Sequence, residues 1–192
     1  MTLVRNRSAS GGVQSVAGVG VNNDDPLNPK IEQTPIPASI HRSKDNSLAT
    51  SVSGDAGVFI VASVDNLEPV SDDFSGYFEQ NAINEFSLKY TGASEPYKID
   101  VSGSIVALSP AFLGTYIGVK VTSDIQGDFT GGVKFYPVGV SFGASPEIGF
   151  QITIYGQFPE NEVIRLEVSS SAAGQLQVVD CIFVAEKIQP AV

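Results

Sequence analysis

The sequence contains few of the side chains on which most enzyme chemistry depends. Its 192 residues include one histidine, one cysteine and no tryptophan, and only 17% of them are charged. His41 lies between Ile40 and Arg42, away from any predicted core, and one histidine without a cysteine cluster excludes the common zinc sites and triads. No nucleotide-binding or serine-nucleophile motif is present. We therefore expect no catalytic residue, no cofactor and no metal ion, and predict that the protein is not an enzyme.

The single cysteine also excludes a disulfide within the chain. Cys181 lies in the apolar run VVDCIFV, which indicates a buried, inert thiol. No apolar run has the length of a signal peptide or a transmembrane helix, so we expect synthesis in a cytoplasm and no membrane partner.

Negative charge dominates the C-terminal three quarters of the chain. The net charge is −10: residues 1–50 hold five Lys or Arg and four Asp or Glu, and residues 51–192 hold six and seventeen. An acidic surface repels phosphate groups, and no basic stripe with interleaved aromatic residues offsets it. We therefore expect no direct contact with nucleic acid.

Residues 1–53 form a predicted extended arm that binds neighbouring subunits. The segment is rich in Gly, Ser, Asn and Pro, and no helical or strand period continues beyond four residues. Isolated apolar side chains are spaced along it, and we predict that they contact the partner. They are Val13, Val16, Val19, Val21, Ile31, Ile36 and Ile40.

Residues 54–192 predict an all-β domain, an antiparallel two-sheet sandwich of the jelly-roll type. In 97–103 and 115–122, apolar residues alternate with polar ones, as in strands with one solvated face. Apolar or alternating runs at 57–64, 132–142, 149–155, 162–168 and 175–188 continue the series between Gly, Ser and Pro turns. At most one short helix is expected, over 71–83, with Ser71 as its N-cap.

The closing strand is apolar on both faces. Cys181, Phe183 and Ala185 point one way, and Ile182 and Val184 point the other. Such a strand is either covered on both sides within the domain or in contact with another subunit. Ile182 and Val184 are therefore candidate oligomer-interface residues.

Carboxylates offer two further possibilities. Asp72 and Asp73, with Asp65 and Glu68 nearby, contain the donors for a calcium site but lack the spacing of a calcium loop. Glu160 and Glu162 have the chemistry for glycoside hydrolysis on a sandwich scaffold, but a turn beside Pro159 favours solvated loop charge. A third possibility is that Tyr116, Tyr136 and Tyr155 form a platform for sugar rings, although strands are ordinarily rich in tyrosine.

The second half of the chain shows a family pattern. GTYIGVKV forms a mid-domain strand, and NEVIRLEV precedes a small-residue loop and the closing strand QVVDCIFVAEKI. This half of the chain resembles jelly-roll domains of the tumour-necrosis-factor and complement-C1q type. The resemblance implies a homotrimer and no catalytic residue. Domains of this kind also occur in tailed bacteriophages, as capsid decoration proteins and at the tips of fibres and spikes.

The arm is similar to the clamp by which a decoration protein holds coat subunits. We therefore predict a structural virion protein: a capsid decoration (cement) protein, made in the host cytoplasm, that trimerises on the capsid surface and clamps adjacent major capsid protein subunits. The alternative is a tail fibre, spike or baseplate component, or a carbohydrate-binding module, that recognises a receptor glycan.

Overall fold

All of the regular secondary structure among the residues that the structure describes is β-strand. The computed structural model describes residues 4–7, 13–17, 21–22, 30–31, 38–70, 77–108, 114–139 and 145–188. The chain divides into two units. Unit 1 comprises Met1–Ile36 with Pro190–Val192, and unit 2 comprises Pro37–Gln189.

Unit 1 contains two antiparallel strand pairs. Strand β1 (Val4–Arg7) pairs with β2 (Val13–Ala17), and β3 (Val21–Asn22) pairs with β4 (Lys30–Ile31). Of the apolar residues predicted to bind a partner, Val13 and Val16 lie in β2, Val21 in β3 and Ile31 in β4. Val19 and Ile36 lie outside the described residues, and Ile40 belongs to unit 2.

Unit 2 consists of two antiparallel sheets, which confirms the predicted fold class. Sheet 1 has the order β13-β12-β15-β10-β9, and β7 also pairs with β15; sheet 2 has the order β14-β11-β16-β5-β8, and β6 also pairs with β16. The strands are β5 (Ala38–Lys44), β6 (Thr50–Ser53), β7 (Ile60–Val61), β8 (Glu68–Pro69), β9 (Phe78–Gln80), β10 (Ser87–Tyr90), β11 (Glu95–Ala107), β12 (Tyr116–Ser123), β13 (Gly127–Pro137), β14 (Glu147–Phe158), β15 (Val163–Ser170) and β16 (Ala173–Lys187).

The core is built from the inward positions of both sheets. In β11, Ile99 and Val101 are buried, and in β12, Ile117, Val119 and Val121 are buried, as the period-two pattern predicts. Leu176 and Val178 of β16 join them before the bulge at Val179, and Cys181, Phe183 and Ala185 join them after it, so these last three residues do point inward. The alternation that the sequence shows therefore decides which face of each long strand is buried.

The predicted boundary between arm and domain has to move toward the N-terminus. The sequence pattern places residues 38–53 in the arm, but β5 and β6 both pair with β16, and unit 2 begins at Pro37. The inward side chains of β5 are Ser39, His41 and Ser43, all buried. Because these residues are polar, the strand has no apolar alternation that a sequence pattern can detect.

Asn46 fixes the connection between β5 and β6. Its buried side-chain amide donates to the carbonyl oxygens of Val178 (2.8 Å) and Ser63 (3.0 Å), and its side-chain oxygen accepts from the backbone N–H of Asp65 (2.8 Å). Its own backbone N–H donates to Val179 (3.1 Å), where the pairing of β16 with β11 shifts register. Asn46 thus satisfies two carbonyl oxygens at this bulge, that of Val178 through its side chain and that of Val179 through its backbone.

Side chains close the gap between the edge strands β13 and β14, which belong to different sheets. The Lys134 ammonium donates to the carbonyl oxygen of Gln151 (2.7 Å), and the Tyr136 hydroxyl accepts from the Gln151 backbone N–H (3.3 Å). These contacts satisfy backbone groups of β14 that no neighbouring strand reaches, and so protect a sheet edge.

The predicted helix over 71–83 is wrong in its second half. Residues 71–76 lie outside the described residues, but Phe78–Gln80 forms β9, which pairs with β10. Phe78 is buried, and its ring lies 5.1 Å from Tyr90, 5.6 Å from Tyr97 and 5.2 Å from Phe183, centroid to centroid. Packing in this aromatic cluster outweighs the local helix signal.

Candidate interaction face

The outer face of sheet 2 carries an apolar stripe at its centre. Val184 of β16 lies directly opposite Ile40 of β5, and Ile182 lies two residues along β16 on the same face. All three side chains are half-buried, while their chain neighbours on β16 point into the core. The sequence predicted Ile182 and Val184 for this face; their role at an oligomer interface stays a prediction.

Charged side chains border the stripe and are paired with one another. The Lys98 ammonium lies 2.6 Å from the Asp100 carboxylate and 3.5 Å from that of Glu186, and Arg42 lies 3.2 Å from Asp180. Burial raises the pKa of Asp100, but hydrogen bonds from Lys98 and from the Thr153 hydroxyl outweigh it and hold that pKa below its usual value. The face therefore presents apolar surface beside charges that are already neutralised.

The three candidate sugar-binding tyrosines do not form one platform. Tyr155 is 64% exposed on β14 of sheet 2, whereas Tyr116 is 54% exposed on β12 of sheet 1. Tyr136 is partly buried, and its hydroxyl bonds to the backbone of Gln151. Tyr155, in register with Lys98, is the one that lies on the interaction face.

The outer face of sheet 1 is partly covered by the chain itself. The Ser169 hydroxyl donates to the Ala56 carbonyl (2.9 Å), and the Phe59 ring packs edge-on against Phe135 with centroids 6.1 Å apart. The Lys120 ammonium lies 4.8 Å from the centre of the Phe59 ring. Even so, Phe135 remains 52% exposed, so sheet 1 offers a second apolar surface.

The candidate calcium residues have other partners or lie outside the description. The Asp65 carboxylate accepts from the backbone N–H of Ser47 (2.8 Å) and from its hydroxyl (3.1 Å), and Glu68 is exposed in β8. Asp72 and Asp73 lie outside the described residues. Within the part of the chain that the structure describes, no group of three or more His, Cys, Asp or Glu is placed to hold a metal ion.

Glu162 is buried, which corrects its interpretation as solvated loop charge. Its carboxylate accepts from the Ser123 hydroxyl and, at 2.8 and 2.9 Å, from the side-chain amide of Gln126. Gln126 also donates to the carbonyl of Gln157 (2.8 Å), so the cluster joins the β12–β13 and β14–β15 turns. Glu160 is exposed, as expected, so one of the two carboxylates lies in solvent and the other, that of Glu162, is buried.

Replacing Glu162 with Gln tests this buried carboxylate. Burial raises the pKa of Glu162 above its ordinary 4.5, and the Ser123 and Gln126 hydrogen bonds oppose the rise. A raised folded-state pKa means that the fold binds the proton better than the unfolded chain does, so stability falls as the pH rises from 4.5 through the folded-state value. We expect the wild type to lose stability relative to Glu162→Gln across that window, measured by urea unfolding at pH 4, 5.5 and 7. Glu160→Gln is the control, and parallel wild-type and Glu162→Gln profiles would contradict the assignment.

The remaining candidate nucleophile is inert. Burial raises the pKa of the Cys181 thiol to about 12, so the thiolate is absent at neutral pH, as the apolar run predicts.

Among the described residues, no helix is long and apolar enough to span a membrane.

Comparison with known proteins gives a likeness of fold only. No family model matches the chain, and no curated protein matches it. The chain is similar to the globular domain of zebrafish complement 1qA protein (9% identity, TM-score 0.43, 81% of this chain and 99% of that one). It is also similar to the PRD1 phage vertex protein P5 (12%, 0.46, 80% and 98%) and to Eiger TNF from S. frugiperda (12%, 0.46, 81% and 96%). These are jelly-roll folds of the kind that the sequence resembles.

Proposed function

We propose that this chain is a structural protein that self-associates through the outer face of sheet 2. The observation that carries the proposal is the half-buried stripe of Ile40, Ile182 and Val184 between ion pairs that are complete within the chain. Burying such a stripe removes apolar surface from water without leaving a charge unpaired. A second copy of the chain can therefore bury this face without a ligand between the two copies.

A homotrimer is the assembly that we propose. The face of sheet 2 and the exposed Phe135 on sheet 1 are two different apolar surfaces of one chain. A contact between unlike surfaces of successive copies is heterologous, and such contacts form closed rings when the rotation permits it. Three copies form a small closed ring of this kind.

The particular role that we propose is capsid decoration. The segment before unit 2, with Val13, Val16, Val19, Val21, Ile31 and Ile36, would bind adjacent major capsid protein subunits on the virion surface, and Ile40 would serve the self-contact instead. Three such segments on one trimer raise the effective concentration of each, so weak single contacts suffice for a stable clamp. The acidic remainder of the chain keeps the assembly soluble and away from nucleic acid.

Val184→Glu tests the self-contact. The new carboxylate enters the middle of the apolar stripe and is left unpaired in the interface, which typically costs about 3 kcal/mol or more. We expect the variant to sediment as a monomer at concentrations at which the wild type is a trimer, measured by analytical ultracentrifugation.

Ile83→Glu is the matched control, because Ile83 is 84% exposed on the β9–β10 turn and lies outside the stripe. It should keep the wild-type mass. A wild-type chain that is monomeric, or a Val184→Glu variant that stays trimeric, would contradict this use of the face.

A second candidate function rests on Tyr155. Its exposed ring lies beside polar groups of Lys98 and Thr153, an arrangement that suits the apolar face and hydroxyls of a sugar. In that case the chain is a fibre, spike or baseplate component, or a carbohydrate-binding module. A glycan array distinguishes the two functions: specific binding that is lost in Tyr155→Ala favours this candidate, and an empty array favours decoration.

A further inference from the structure

The only histidine of the chain is buried at the centre of β5. His41 is 3% exposed, and its backbone pairs with Phe183 of β16 on one side and Pro69 of β8 on the other. It faces the interior of the sandwich, on the side opposite the interaction face. No function assigned above uses it.

The surroundings of the imidazole suit its neutral form. The ring meets Phe183 edge-on, with centroids 6.2 Å apart, and its Nε2 atom lies 3.3 Å from the Ser39 hydroxyl. The backbones of Leu67 and Phe78 approach the ring, and both of these side chains are buried. A hydroxyl and backbone dipoles cannot replace the hydration of a full positive charge.

No described carboxylate forms an ion pair with His41. The titratable and charged groups on the elements around it, strand by strand, are Arg42 and Lys44 on β5, Asp180, Cys181, Glu186 and Lys187 on β16, Glu68 on β8, Glu79 on β9, Lys89 and Tyr90 on β10, and Glu95, Tyr97, Lys98 and Asp100 on β11. Of these, only Cys181, Tyr90 and Tyr97 are buried. Arg42 and Glu68 are opposite one another on the outer face, and Lys44 and Glu79 are exposed. Burial raises the pKa values of Cys181, Tyr90 and Tyr97, so these groups remain neutral at acidic pH.

The position of β5 allows it to separate from the sandwich on its own. It is the first strand of unit 2 and follows directly on the segment Met1–Ile36. On one side it pairs with β16 over seven residues, but on the other it pairs only with the two residues of β8 and accepts one further hydrogen bond, from the Val70 backbone N–H to the Ile40 carbonyl oxygen (2.9 Å). Releasing β5 leaves the pairing of β16 with β11 intact.

We propose that His41 makes β5 an acid-sensitive strand: protonation of the buried imidazole detaches β5 from β16 before the sandwich itself unfolds, and so lengthens the unpaired chain that joins the N-terminal segment to the sandwich. The inference extends the proposed function, because it loosens the link between the sandwich and the segment proposed to hold the coat. It does not depend on that function, since the strand opens whether or not the segment has a partner.

The direction of the pH dependence follows from the pKa. Burial lowers the pKa of His41 below its ordinary 6.5, and the backbones of Leu67 and Phe78 only partly offset this. The stability that the neutral ring supports is therefore present above pH 6.5 and is lost as the pH falls toward the folded-state value. Within that window the opening constant of β5 rises by up to about tenfold per pH unit.

Hydrogen exchange on the full-length chain tests the proposal. Exchange is followed by mass spectrometry at pH 7.5, 6.5 and 5.5, with peptides covering β5, β11 and β12 and with rates corrected for the intrinsic effect of pH. We expect the corrected exchange rate of β5 to increase as the pH falls, while β11 and β12 stay protected from exchange. His41→Gln, which is neutral at every pH, should remove the increase, and Ser43→Ala, which alters another buried polar residue of β5, should retain it.

Three results would overturn the proposal. The first is a corrected exchange rate of β5 that does not depend on pH. The second is an equal increase of that rate in His41→Gln. The third is an increase that β11 and β12 share, which indicates global unfolding. If His41→Gln does not fold, proton NMR on the wild type decides, because the single imidazole gives one unambiguous titration curve. A folded-state pKa below 6.5 supports the proposal, and a value at or above 6.5 refutes it.

Discussion

Deleting residues 2–36 is expected to leave a folded sandwich that no longer binds a capsid, whereas deleting residues 2–50 is expected to abolish folding. The two deletions differ by β5 and by Asn46. The longer deletion exposes the edge of β16. It also removes the Asn46 N–H groups that bond to the carbonyl oxygens of Val178 and Val179 at the bulge of that strand. Opening of β5 alone leaves Asn46 in place, but the deletion removes both. A domain that is stable by only about 5–15 kcal/mol does not tolerate the loss of this buried polar centre together with a seven-residue strand.

Circular dichroism with thermal melting measures the folding of both deletions, and co-sedimentation with purified capsids measures binding. The shorter deletion should melt cooperatively near the wild-type temperature and remain in the supernatant. Loss of folding on removing residues 2–36 would show that the N-terminal segment is part of the sandwich. Full capsid binding by that variant would place the contact elsewhere.

Gly103→Ala is expected to cost about 3 kcal/mol or more, the upper range for overpacking, or to prevent folding. Gly103 lies in the middle of β11, next to the place where the pairing with β16 shifts register. A β-carbon there would overlap the Asp180 carbonyl oxygen and lie 2.9 Å from the Cys181 α-carbon. Both of these atoms are backbone of the neighbouring strand, so neither can move without displacing β16.

Gly149→Ala is the matched control, because it adds the same methyl group on the adjacent strand β14. The nearest atom to that β-carbon is the Gly103 carbonyl oxygen, 4.0 Å away, an ordinary contact. Urea unfolding of both variants gives the comparison. Equal stabilities would mean that β11 and β16 are not packed as closely at Gly103 as the structure places them.

The long strands were predictable because each has one apolar and one polar face. The alternations around Ile99, Val119 and Val184 all match strands, and their inward positions are the ones that are buried. The hydrophobic effect acts on these positions through burial alone, so the order of apolar and polar residues is sufficient to predict them. The two-sheet class follows from the number and spacing of such strands.

The elements that the sequence did not predict depend on polar groups satisfied at long range. Strand β5 has inward serines and a histidine, and Glu162 is held by Ser123 and Gln126 from another turn. A buried polar residue and an exposed one look the same in a sequence, because hydrogen-bond partners distant along the chain decide between them. For the same reason His41 was expected to lie away from the core, whereas it is buried in it.

The candidate interaction face was only half predictable. The pattern of β16 places Ile182 and Val184 on one face, but Ile40 joins them through pairing across a long separation in sequence. The ion pairs that border the stripe, such as Arg42 with Asp180, likewise join distant segments.

The most direct test of a structural virion role is sedimentation of native source material through a density gradient at raised salt, with mass spectrometry for this chain in each fraction. The account predicts that the chain sediments with a particle, in many copies for each particle. A chain found only in the slow fractions, at the mass of a free trimer or monomer, would contradict it.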